Sequence, residues 1–171
     1  MLRLAGERIT GEPAETYENH HIIRGREMEA DARNLYAFAY DAELCQVGFI
    51  RNGDAGCSPD SLIGDDAALE IKTKLPALLI ETILRDDMPP EHKAQCQGAL
   101  WVTERERITI VCYWPGMPLF VHEATRDETY IATLASEVER FNAELAGIVE
   151  RVRQYETAPR EIVRAALEAS L

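Results

Sequence analysis

Residues 57–74 read CSPDSLIGDDAALEIKTK, and the way this stretch folds decides how the rest of the chain is read. Two short runs, SLI and AALEI, flank Gly64-Asp65-Asp66, a turn composition, so the stretch reads as a β-hairpin. Glu70 and Lys72 nevertheless sit inside the second strand, although both residue types resist burial and are depleted from strands. Strand alternation puts Glu70 and Lys72 on one face and Leu69 and Ile71 on the other. Asp60 joins the first face only if residues of like parity pair across the hairpin, such as 60 with 72 and 62 with 70. That pairing needs an odd-numbered loop or a bulge around residues 65–67, and three-residue hairpin loops are common. Pro59 is tolerated at a strand start or edge, where no ladder donor is required.

Two carboxylates and an ammonium on one face make a specific tool. Asp60 and Glu70 offer hard anionic oxygens suited to Mg²⁺, which binds through one or two carboxylates and keeps waters and phosphate oxygens. Such an ion acts as a Lewis acid on a phosphodiester and lowers the pKa of an attacking water. Lys72 is placed to position that water or to neutralise charge growing on the phosphoryl group. The pattern D-x9-E-x-K also fits an ordinary solvated strand face, and spacing alone does not separate the two.

Upstream, MLRLAGERITGEP reads as a short helix stopped by Gly11 and Pro13. From about Ile23 to Leu44 the chain is helical, with Met28, Ala32, Leu35, Tyr36 and Ala39 recurring at spacings of three and four. QVGFI and AGCSPDS flank RNGD, a second hairpin turn. Downstream, a helix starts after Pro90, and RITIVCYW and PLFVHEAT are strands separated by Pro115 and Gly116. A long helix runs from about Asp127 to Gln154 with an apolar stripe of Ile131, Leu134, Val138, Phe141, Leu145, Ile148 and Val152. After Ala158-Pro159 a separate short helix is expected. The expected fold class is α/β (α+β), a mixed central β-sheet flanked by helices. The expected organisation is a single domain over 1–155, with its core at about 23–125 and the long packing helix at about 127–155. Residues 156–171 form a C-terminal helical extension.

At 171 residues, with 46% apolar and 28% charged residues, the chain has the length and composition of one soluble globular domain. Its apolar runs are too short to span a bilayer and no leader pattern opens it, so no membrane partner and a cytoplasmic location are expected. Cys45, Cys57, Cys96 and Cys112 form no CxxC pair, which argues for reduced, mostly buried thiols over a zinc or iron–sulfur site. The net charge of −12 argues against a general nucleic-acid coat. Basic residues still gather at Arg24, Arg26 and Arg33, at Lys72, Lys74 and Lys93, and at Arg105 and Arg107, so a locally basic cleft is compatible with the acidic sum.

SPDSLIGDDAALEIK resembles the metal-dependent nuclease core written PD-(D/E)xK. More closely, the chain resembles the YqaJ-like viral recombinases, the phage lambda exonuclease family, from about Arg24 to Val152. Four blocks in order carry the likeness: RGREMEADARNLYAF, AGCSPDSLIGDDAALEIK, AQCQGALWVTERE and RDETYIATLASEVERF. The resemblance implies a restriction-endonuclease-like core and a Mg²⁺-dependent double-stranded-DNA exonuclease, phage or prophage in origin, with Mn²⁺ able to substitute. It implies 5′-to-3′ degradation that leaves 3′ single-stranded tails for recombination. Asp60 and Glu70 become metal ligands, joined by the carbonyl of Ile71, and Lys72 becomes the catalytic lysine. Glu27, Glu29 and Asp31 compete on spacing; the motif match selects Glu29, as a carboxylate supporting a second metal. Gln95 matches a glutamine lining the site. DNA ends, a single-strand annealing protein and further copies of the chain, as in the family's ring trimers, are the implied partners. The alternative is a DNA-binding recombination partner that keeps the fold without efficient catalysis.

The pattern departs from the family in places. Ser61 stands where glycine is usual after SPD. Thr73-Lys74 replaces Cys-Pro, which suggests an added phosphate contact, and His92 replaces a frequent aromatic. Relatives carry an earlier segment with an arginine and a serine that holds the DNA 5′ end; the expectation here is a shortened variant, with 5′-phosphate recognition in question.

Overall fold

The structure is a computed structural model. It describes the backbone of residues 1–14 and 20–168, and the side chains of 1–14 and 23–155. The elements in order are α1 (Leu2–Thr10), α2 (His20–Tyr40), β1 (Leu44–Cys45), β2 (Ile50–Asn52), β3 (Ala55–Cys57), β4 (Ser61–Ile63), β5 (Ala67–Thr73), α3 (Pro76–Arg85), α4 (Pro90–Thr103), β6 (Arg107–Tyr113), β7 (Phe120–Thr125) and α5 (Glu128–Glu168). The chain divides into two units, 18–134, and 1–17 together with 135–171. No helix among the described residues is long and apolar enough to cross a membrane.

The first unit is built on a five-stranded mixed sheet of order β1-β4-β5-β6-β7, with β2 and β3 forming a separate hairpin. β5 and β6 run parallel, joined by the helical crossover α3–α4, while the other neighbours are antiparallel. Ala68, Ile108, Ile110 and Cys112 face Leu79, Cys96, Ala99 and Leu100 of α3 and α4, with Ile131 at the start of α5. On the opposite face Leu69, Ile71 and Val111 meet Ala32 and Tyr36 of α2. Covering both faces is what lets β5 carry a nearly continuous buried run. In the second unit, Ala5 and Ile9 of α1 pack with Phe141, Leu145, Ile148 and Val149 of α5.

The key hairpin has like-parity pairing, but its register is 61↔69, 62↔68 and 63↔67. The expected pairs of 60 with 72 and 62 with 70 are corrected by two residues, because the loop is 64–66 and not 65–67. Gly64 takes a positive φ of 51° at the first loop position, which closes the turn one residue early. Arg105 Nη1 then donates to the carbonyls of Gly64 at 2.8 Å and Ala67 at 2.7 Å. Asp66 O accepts from the amides of Glu106 at 2.9 Å and Arg107 at 3.2 Å. The turn is thereby tied to the start of β6.

Other differences have local causes. α2 stops at Tyr40, where Asp41 takes a left-handed φ of 48°, and Leu44 belongs to a strand. Of the α2 stripe, Ala32 and Tyr36 are buried while Leu35 and Ala39 are exposed. In α5 Val149 is buried and Val152 is exposed, and the helix runs through Ala158-Pro159 to Glu168 without a break. Residues 76–85, which the sequence patterns leave unassigned, form α3 with Pro76 at its first turn. The four cysteines are free, Cys96 and Cys112 being buried and Cys45 exposed.

Because Arg105 clamps the register-setting turn through charge-assisted bonds, Arg105→Ala is expected to lower unfolding stability by about 1–3 kcal/mol. Urea denaturation followed by far-UV circular dichroism checks this; an unchanged midpoint contradicts the clamp.

Candidate active site

The 61↔69 pair, carried one residue back, sets Asp60 opposite Glu70, so both acids and Lys72 fall on the α4 side of the sheet. Asp60 N donates to Leu69 O at 3.1 Å. Asp60 Oδ2 accepts from the Ile71 amide at 2.5 Å, so the side chain takes an amide a neighbouring strand would otherwise satisfy. Glu70 is 3% exposed. Its Oε1 takes two bonds, from Lys72 Nζ at 2.6 Å and from Gln95 Nε2 of α4 at 2.6 Å. Four of the expected residues, Asp60, Glu70, Lys72 and Gln95, thus stand together.

Burial is the main influence on both acids. It raises the pKa of Asp60, with Glu29 adding to the rise, while the Ile71 amide and the charges of Lys72 and Arg33 oppose it. Burial likewise raises Glu70, with Lys72 as the chief opposing influence and Asp60 adding repulsion. One buried and one half-buried carboxylate face each other here, with burial outweighing the opposing charges of Lys72 and Arg33.

The donor set fits Mg²⁺. Asp60 Oδ1 and Glu70 Oε2 receive no hydrogen bond from the described residues, which leaves a hard oxygen on each acid for an ion that keeps most of its waters. No group of three or more His, Cys, Asp or Glu among the described residues is arranged to hold a metal, so the fit is to a two-carboxylate site. Glu29 is ion-paired with Arg33, one helical turn on; it is near enough to act on Asp60 electrostatically, but its carboxylate is engaged.

Two residues that sequence reasoning did not place in the site belong beside it. Arg33, grouped there only with other basic residues, donates from Nε to Ser61 Oγ at 3.2 Å and from Nη2 to Asp60 O at 3.4 Å. Ser61 is fully buried, and its hydroxyl donates to Asp60 O at 2.6 Å. The signal for Arg33 was its position four residues after Glu29, on the same helix face.

Most of the gathered basic residues are committed within the fold. Lys74 Nζ is 2.6 Å from Glu91 Oε1. Lys93 pairs with Asp127 and lies over the Tyr130 ring. Arg107 pairs with Asp66 and Glu123, and Arg24 lies over Trp114. His92 is held below the usual histidine pKa by burial and by Lys72 and Lys74. Burial and Glu70's charge push the Cys96 thiol up to about 12, keeping it an inert wall of the site.

Residues 1–106 match the YqaJ-like viral recombinase domain. Two crystal structures of LHK-Exo, an alkaline exonuclease from Laribacter hongkongensis, are 31% identical to the chain. One, in complex with dAMP, has a TM-score of 0.85 and is matched over 91% of this chain and 83% of its own. The other gives 0.84, over 91% and 82%. A phage-related exonuclease from Haemophilus somnus, 13% identical with a TM-score of 0.68 over 88% and 81% of the two chains, shares the fold. No curated protein matches.

The raised pKa values have a stability consequence. Folded protein retains protons on Asp60 and Glu70 that the unfolded chain has released, so their contribution falls as pH rises from the unfolded pKa through the raised folded one. Glu70→Gln removes one such group. In chelator, its melting temperature relative to wild type is expected to be higher at about pH 7 than at about pH 4. A difference that does not move with pH contradicts the burial argument.

Proposed function

The chain belongs to the YqaJ-like viral recombinase family, and from that premise we propose that it is a Mg²⁺-dependent exonuclease hydrolysing phosphodiester bonds of double-stranded DNA. The observation carrying this reading is the convergence of Asp60, Glu70 and Lys72 on one sheet face, with Gln95 closing on Glu70 from α4. Degradation from the 5′ end, leaving 3′ single-stranded tails, follows from the family resemblance. The related LHK-Exo structure with dAMP supports a mononucleotide as the released product.

The residues divide the work. Asp60 and Glu70, with the Ile71 carbonyl, would hold Mg²⁺, or Mn²⁺ in its place, since both accept oxygen ligands. When bound, the ion supplies Lewis-acid polarisation of the phosphodiester and a lowered pKa for the attacking water. Gln95 fixes the Glu70 carboxylate by holding Oε1, leaving Oε2 without a hydrogen bond from the described residues. The Ile71 amide does the same for Asp60 at Oδ2. Lys72, tethered to Glu70 and a quarter exposed, presents its ammonium where a water can be oriented and where charge develops on the phosphoryl group. DNA ends are the substrate in this reading, and a single-strand annealing protein and further copies of the chain are its partners.

Linear duplex DNA incubated with Mg²⁺ is expected to release mononucleotides, and closed circular duplex is expected to survive. Chelation should stop the reaction and Mn²⁺ restore it. Lys72→Ala, Asp60→Asn and Glu70→Gln should each lower the rate by about a hundred-fold or more. DNA binding without cleavage, or full activity in Lys72→Ala, contradicts the proposal.

A further inference from the structure

Arg33 and Glu29 are not an ordinary helix-surface pair. The exposed pair on α3, Arg85 with Glu81, leaves both side chains more than half exposed, whereas the Arg33 side chain is 13% exposed. Its guanidinium is also shared. Besides Glu29 it binds Ser61 Oγ and Asp60 O, and Nη1 lies 2.8 Å from the Gln46 side-chain amide, whose oxygen is assigned to that position because it alone can accept. Ser61 Oγ in turn donates to Asp60 O. One planar cation from α2 therefore reaches the main chain of Asp60 directly and through a buried hydroxyl.

We infer that Arg33 is a positioning residue: with Ser61 as its relay and Glu29 as its anchor, it fixes the Asp60 main chain so that the carboxylate stays opposite Glu70. The inference rests on the metal-site reading above, and it assigns Glu29 an action through Arg33. Asp60 lies just outside β4: its amide is tied to Leu69 O of β5, while its carbonyl is held by Arg33 and Ser61. α2 does this from the far face of the sheet, leaving the α4 side clear for substrate. A lysine cannot replace this arrangement, because its point charge lacks the fork that binds three acceptors at fixed angles.

Outer residues that orient metal ligands commonly cost ten- to a hundred-fold in affinity when removed. The test is the Mg²⁺ concentration giving half of the metal-linked rise in melting temperature, measured alongside kcat and KM on linear duplex. In Arg33→Gln that concentration is expected to rise about ten-fold or more, with KM for DNA unchanged, and Arg33→Lys should not restore it. Ser61→Ala should shift it in the same direction, and it reads the relay on its own if Arg33→Gln does not fold. Combining Ser61→Ala with Arg33→Gln should add little, because the two act in one chain. Variants that melt earlier in chelator yet keep the wild-type Mg²⁺ midpoint overturn the inference, as do effects that multiply in the double variant. A wild-type protein with the Mg²⁺ shift but no cleavage removes the nuclease reading and leaves this one standing. A wild-type protein with no Mg²⁺ shift removes both.

Discussion

The site depends on a three-residue turn. With Gly64, Asp65 and Asp66 between β4 and β5, residues of like parity face one another and Asp60 meets Glu70. A one-residue slip would send Asp60 to the α2 face and dissolve the pair. The turn is held accordingly: Gly64 supplies the positive φ, and Arg105 and the amides of Glu106 and Arg107 grip its carbonyls. Register, more than any single contact, converts a sequence spacing into a chemical site.

On that geometry the electrostatics follow. Two acids are brought together and desolvated, which by itself disfavours the folded state. The surrounding groups offset part of this cost. Lys72 and Gln95 take one Glu70 oxygen, the Ile71 amide takes one Asp60 oxygen, and Arg33 adds positive charge beside Asp60. On the proposed reading, a divalent ion would complete the balance at the two oxygens that receive no hydrogen bond from the described residues.

Much of this was legible in the sequence because it rests on local rules. Alternation put Glu70 and Lys72 on one face, and loop parity brought Asp60 to them. The order of four motif blocks selected Gln95, which the fold brings to Glu70, and Glu29, which is paired with Arg33. Other features were not legible. The hairpin centre was displaced by one residue because either Gly64 or Asp65 could open the loop, and only the folded φ values decide. α3 escaped because it opens on PALLI, a short continuous apolar run that periodicity alone assigns to neither helix nor strand, and Leu78, Ile80 and Leu84 are exposed while Leu79 is buried. Arg33 and Ser61 meet only through tertiary packing of α2 on the sheet, which neither residue's neighbours in sequence announce. The apparent basic gatherings were likewise uninformative, since most of those side chains are spent on internal partners.

The most direct test of the central idea is a crystal of the protein soaked in Mn²⁺, with anomalous scattering used to locate the ion. The account places a single strong peak between Asp60 and Glu70, about 2 Å from an oxygen of each, with the Lys72 ammonium adjacent. An ion bound elsewhere, or none at a concentration that saturates other two-carboxylate sites, would contradict it.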